Sequence, residues 1–320
     1  MNNNKGSNPG NNLNNLSNLD NIQNEVNNTV RNNFIVDKYL GKGKYYDTYR
    51  GINNDKSYII KVIDKNDTAN VNLIIAELGF LKLLNKYKTS KKYINPCYDF
   101  GISQNKIFAI FKALEGDNLK KIISSIDDNI NEITDKYNII KIIIKNLLAS
   151  LQYIHKKGVS HQNIHENNII FNFNKSNNEV KVELHLVNFG LSCGNYINLK
   201  GNDILHLTCS KLSNIVSSNT NDNITSKDVI KYINNLPKNI SSRSKYFHLS
   251  KKKDIQDLGI VFMKLMKTLD KNNKNVIRQY PKIRKLYEFV VNHMLTDIEN
   301  RYDAQRLLQE FILSEKYDWE

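Results

Sequence analysis

The chain has 320 residues, enough for one large core or two lobes, with 46 Lys and Arg against 32 Asp and Glu and a net charge of +14. That balance favours acidic partners such as phosphorylated protein, nucleic acid or an anionic membrane, with a solvated basic surface as the plainer reading. Three cysteines, Cys97, Cys193 and Cys209, form no C-x-x-C pair, which argues against a disulfide framework or zinc site and for a reducing compartment.

Residues 1–33 are dominated by Asn with Ser, Gly and scattered Leu. Such a stretch buries too little to offset its ordering entropy, so a disordered tail is expected there. It has no apolar core of a signal peptide, and no apolar run in the chain is long enough for a transmembrane helix. A cytoplasmic protein without a membrane role is therefore expected. Aromatic residues are not interleaved with Lys and Arg as in single-strand binders, so nucleic acid is an unfavoured partner.

From Phe34 the pattern changes. Phe34–Leu40 and Lys44–Arg50 alternate like strands around Gly41-Lys42-Gly43, a hairpin whose backbone is able to cover phosphates. The strand Ser57–Ile63 places Lys61 within an apolar run, costly unless an anion meets it. A helix over Val71–Leu84 carries Leu73, Ala76, Phe80, Leu81 and Leu84 on one stripe, with Glu77 beside it and able to face Lys61. Two more strands are expected at Tyr98–Ile102 and Lys106–Phe111, then a hinge at Leu114–Leu119.

The remainder reads as helical. Ile139–His155 is too apolar for a surface helix and is capped by Gly158. Asn195–Asn239 is Asn- and Ser-rich and reads as a mobile loop with short helices. Helices are expected at Asp254–Leu269, Ile283–Leu295 and Ala304–Leu313. The fold class is thus α+β and bilobal, with a small antiparallel-sheet lobe over 34–115 and a helical lobe over 116–315.

Two short runs carry the chemistry: Ser160-His161-Gln162-Asn163-Ile164-His165-Glu166-Asn167-Asn168, and Val187-Asn188-Phe189-Gly190. Together with the hairpin, Lys61 and Glu77, they resemble the protein kinase superfamily, which writes them H-R-D-x-x-x-x-N and D-F-G. Within it, Asn188–Ser192 and Ser250–Gly259 are similar to the casein kinase 1 group, especially its vaccinia-related branch.

The resemblance implies that Gly41, Gly43, Lys61, Glu77 and Phe111 belong to a nucleotide site, Lys61 holding phosphates and Phe111 standing beside adenine. Asn168 and Asn188 would be metal positions and Asn163 the base position. Asp254 would tie the catalytic loop to a central helix. Leu81, His161 and Phe189 would stack between the lobes, and Arg301 would be a structural arginine.

Asn163 cannot take a proton at useful pH, and losing a general base costs about 10²–10⁴-fold. Asn188 offers magnesium a neutral amide where it prefers carboxylate. His165 replaces a lysine that steadies the transferring phosphate, and Gln162 an arginine that anchors a phosphorylated loop. Tyr46 stands for the third glycine and crowds the phosphate approach, and Ile59 stands for a small alanine packed on adenine.

The expectation is a kinase-like fold without phosphoryl transfer. No cofactor is needed, with ATP and Mg required only if activity persists. The expected partner is a protein, another kinase or an acidic or phosphorylated one. Lys251-Lys252-Lys253 is either part of that surface or a solvated helix start.

Overall fold

The computed structural model describes residues 9–43, 45–85, 88–176, 179–197, 204–207, 239–240, 245–270 and 279–316. The expected loop at Asn195–Asn239 falls largely outside them, as does Cys209.

The first lobe is a five-stranded antiparallel sheet in the order β1-β2-β3-β5-β4, formed by β1 (Ile35–Lys42), β2 (Asp47–Asn53), β3 (Lys56–Asp64), β4 (Cys97–Ile102) and β5 (Lys106–Lys112). Strand side chains alternate between faces, and both faces are covered. Tyr58, Ile60, Val62, Phe108 and Ile110 point to one face. Ile63, Ile107, Ala109 and Phe111 point to the other and join the main core.

The outer face is closed by α1 (Pro9–Asn27), within the stretch expected to be disordered. Residues 9–27 are thus helical where a disordered tail was expected. Ile22 and Val26, one turn apart, are buried against Phe34, Val36 and the outer side chains of β3 and β5. Composition averages over the many Asn and hides this pair. The Asn27 side chain also accepts from Phe34 N (2.8 Å) and donates to Phe34 O (2.9 Å), and Gln23 Oε1 accepts from Val36 N (2.9 Å). Two helix amides thereby supply hydrogen bonds at the β1 edge, which would otherwise stand open. Glu25 meets Lys106 and Ser103 on the far side.

The inner face packs on α2 (Thr68–Leu84). The expected single stripe is too narrow: Ile74, Ile75, Ala76, Leu78, Phe80, Leu81, Leu83 and Leu84 are all buried. A helix wedged between a sheet and a second lobe is apolar around most of its circumference.

The second lobe begins with β6 (Asp117–Asn118) and α3 (Leu119–Asn129). Its central α4 (Ile133–Lys156) buries Ile140, Ile143, Ile144, Leu147, Leu148, Leu151 and Ile154, and Gly158, at φ 76°, ends it by donating to His155 O (3.0 Å). Then follow β7 (Val159–Ser160), β8 (Ile169–Ser176), β9 (Glu179–Leu186), β10 (Cys193–Ile197), β11 (Ile204–Leu207) and β12 (Asn239–Ile240). The lobe closes with α5 (Lys245–Asp270), α6 (Pro281–His293) and α7 (Ala304–Lys316). Helix α5 starts well before Asp254, so Lys251–Lys253 lie inside it rather than at its start. Lys252 is buried and reaches Arg301 O, and Lys253 pairs with Asp257. Among the described residues no helix is long and apolar enough to cross a membrane.

Candidate functional site

A cleft of about 320 Å³ lies between the lobes, with Ile59, Leu81, Phe111, Leu114, Ile170 and Val187 as its apolar walls. Lys61 and Glu77 stand at its back, 6% and 2% exposed. Lys61 Nζ lies 2.8 and 2.7 Å from the two Glu77 oxygens. Strand β3 sends Lys61 to the inner face, and α2 presents Glu77 to it. Burial works against the ammonium charge, but the Glu77 carboxylate and the Tyr46 oxygen outweigh it and hold the Lys61 pKa above its ordinary value.

The floor is a chain of side-chain amides. Lys61 Nζ donates to Asn188 Oδ1 (2.8 Å), and the Tyr46 hydroxyl donates to the same oxygen (2.5 Å). Lysine only donates, so this contact fixes the orientation of the Asn188 amide. Its Nδ2 then donates to Asn168 Oδ1 (2.6 Å). Asn168 Nδ2 in turn donates to Asn163 O (2.9 Å) and meets His165 Nε2 at 2.8 Å. His165 must accept there and is neutral at that nitrogen; burial holds its pKa below the usual histidine value. Asn188 sits at φ 67°, a left-handed conformation that asparagine tolerates better than most residues, and this turns its side chain into the cleft.

Behind the chain, Phe189 N donates to Glu77 Oε1 (3.2 Å), and the Phe189 ring lies edge-on to His161 at 4.6 Å. His161 Nε2 donates to Val187 O (3.0 Å) while its Nδ1 accepts from Asn163 N (3.3 Å), so the ring is neutral. Asp254, fully buried on α5, accepts from His161 N (2.7 Å), Gln162 N (2.7 Å) and His155 Nε2 (2.9 Å). Gln162 donates its amide to Ser250 O (2.7 Å). Arg301 donates to Thr296 O and Lys252 O, and among the described residues it pairs with no carboxylate.

Of the residues singled out in the sequence, Lys61, Glu77, Phe111, Asn168, Asn188 and His165 are brought together. Gly41 and Gly43 do not line the cleft; Gly43 N instead donates to Tyr46 O (2.9 Å), and the Tyr46 side chain takes the inward position. Asn163 lines a small recess on the far side of Asn188. The link from Tyr46 to Asn188 joins residues 142 apart in the chain, which no local pattern reveals.

The amide chain does not fit a divalent cation. Asn188 turns an NH₂ toward Asn168, its own oxygen faces an ammonium, and both Glu77 oxygens face Lys61. Hard cations take oxygen ligands, and the amide oxygens here are already occupied, Asn188 Oδ1 by Lys61 and Tyr46 and Asn168 Oδ1 by the Asn188 NH₂. Among the described residues no group of three or more His, Cys, Asp and Glu is arranged to hold a metal ion.

Residues 34–314 match the protein kinase domain family. A probable serine/threonine-protein kinase of Dictyostelium discoideum is 30% identical over 170 residues, 51% of this chain and 23% of that protein. A second from the same organism is 26% identical over 198 residues, 61% and 40% of the two chains. A serine/threonine-protein kinase of Drosophila melanogaster is 26% identical over 190 residues, 58% and 23%. The matched region thus spans well under half the length of each of these relatives.

Proposed function

This chain belongs to the protein kinase family, and from that premise we propose that it is a pseudokinase: a kinase-like module that binds a protein partner and does not transfer phosphate. One observation carries the reading. The two positions where phosphoryl transfer needs carboxylates hold Asn163 and Asn188, and the Asn188 amide is bonded to Lys61, Tyr46 and Asn168. Transfer depends on electrostatic positioning, with magnesium bridging phosphate oxygens and a base receiving the hydroxyl proton. Asn188 offers no charge to the metal and Asn163 takes no proton. The Tyr46 ring lies 4.6 Å from Lys61 Nζ, on the approach a phosphate would use.

The alternative is an active or weakly active ATP-dependent serine/threonine kinase. It is favoured by the intact Lys61–Glu77 pair and by the names of the relatives. The runs Asn188–Ser192 and Ser250–Gly259 support a place near the casein kinase 1 and vaccinia-related group. An acidic or phosphorylated partner, another kinase included, accords with the charge of +14, and a cytoplasmic setting accords with three cysteines that form no C-x-x-C pair.

The deciding measurement is a thermal-shift titration with ATP, with and without magnesium. The pseudokinase reading expects no magnesium-dependent rise in melting temperature, and no transfer to a generic substrate until Asn163→Asp and Asn188→Asp are combined. Turnover by the unaltered chain at the rate of the restored one would overturn it.

A further inference from the structure

Strand β9 is the outer strand of the sheet β6-β8-β9. Leu186 N donates to Tyr93 O (3.0 Å), so its main chain points away from β8, and Val187 N donates back to Asn168 O (3.1 Å). Main-chain groups alternate sides along a strand. Leu184 and Val182 therefore share the outward direction of Leu186. Among the described residues neither has a main-chain partner on that side.

The first rung of a further strand is already present: Ile94 bridges Leu186 in the parallel sense. That segment does not continue along β9, because Lys88–Lys92 coils into a 3-10 turn on one side and Pro96 follows on the other. Alongside the open length runs a groove of about 880 Å³, lined by Val182, Leu184, Ile94, Pro96 and Leu114 among others.

Three exposed lysines rim it, Lys91, Lys92 and Lys112. Among the described residues none of them is in an ion pair; Lys92 and Lys112 rest over the rings of Tyr93 and Tyr98. The carboxylates on the same rim are Glu115 and Glu183.

We propose that the β9 edge is a docking site for an extended, acidic segment of a partner protein, which adds a strand at Leu184 and Val182 and sets its carboxylates against the lysine rim. Main-chain hydrogen bonds supply affinity in such strand addition, and the side-chain pockets and charges supply selectivity. The groove shares Leu114 with the cleft wall but is lined by none of Asn163, Asn168 and Asn188, and the proposal stands whether or not the cleft turns over ATP.

The probe is a peptide of roughly eight alternating Glu and Val residues, a common strand length. A Lys-Val peptide is the charge control. With the Glu-Val peptide at about 1 mM, amide exchange at Val182 and Leu184 should slow, and a Glu-Pro version should have no effect. Reversing the rim with Lys91→Glu, Lys92→Glu and Lys112→Glu should weaken binding about tenfold or more at low salt. Val182→Pro removes one outward N–H that β8 does not use, and should abolish protection while the melting temperature stays near that of the parent. Should that variant fail to fold, the rim reversal decides. Equal protection by the Lys-Val peptide, no protection by either, or protection that grows with protein concentration alone would each overturn the proposal, the last pointing to a second copy of this chain.

Discussion

At the scale of single residues, the site turns on which atom of an amide faces which neighbour. Lys61 dictates that Asn188 shows it an oxygen, and so dictates the direction of every bond down to His165. Asn188→Asp replaces the Asn188 NH₂ with an oxygen 2.6 Å from Asn168 Oδ1. Two oxygens at that distance repel unless a cation lies between them. We therefore expect magnesium to raise the melting temperature of Asn188→Asp and to leave the parent unmoved, without any nucleotide. An equal magnesium response in both proteins would refute this reading of the floor. The Lys61–Glu77 pairing was legible because a lysine in a central strand requires an anion and Glu77 stood on the next helix. The bond from Tyr46 was only half legible: the bulk of the ring was evident from the sequence, but the target of its hydroxyl is set by closure of two lobes.

At the scale of elements, strands and large helices could be read because their apolar spacing is strong. Helix α1 could not, since two buried residues among many asparagines leave no periodic signal. The predictions at this scale concern its docking. Asn27→Ala strips both main-chain groups of Phe34 of their partners, which costs about 1–3 kcal/mol when such groups are left unsatisfied. Gly101→Ala would drive a methyl carbon into Thr29 Oγ1 and to 2.8 Å from Val30 Cγ1, just past the end of α1. Urea unfolding should register both losses. Removing residues 1–30 should abolish most of the Gly101→Ala penalty. A Gly101→Ala penalty of the same size in the shortened chain would mean that α1 is not seated on the sheet.

At the scale of the whole molecule, the histidines set the response to acid. Burial holds His161, His165, His185, His248 and His293 below the ordinary histidine value. The unfolded chain therefore binds protons first, as pH falls through about 6.5. Stability contributed by these groups is complete above that pH and is lost as the medium acidifies toward the folded-state values. Urea midpoints should be level between pH 7 and 8 and fall by pH 5.5. His165→Gln should shrink that fall, and an unchanged slope would exclude His165 from it.

The bonds from Lys61 and Tyr46 to Asn188, and from Phe189 to Glu77, run from one half of the protein to the other. Here the jaws are buttoned together by the chain's own side chains, so any guest that needs Lys61 or Asn188 has first to break those bonds.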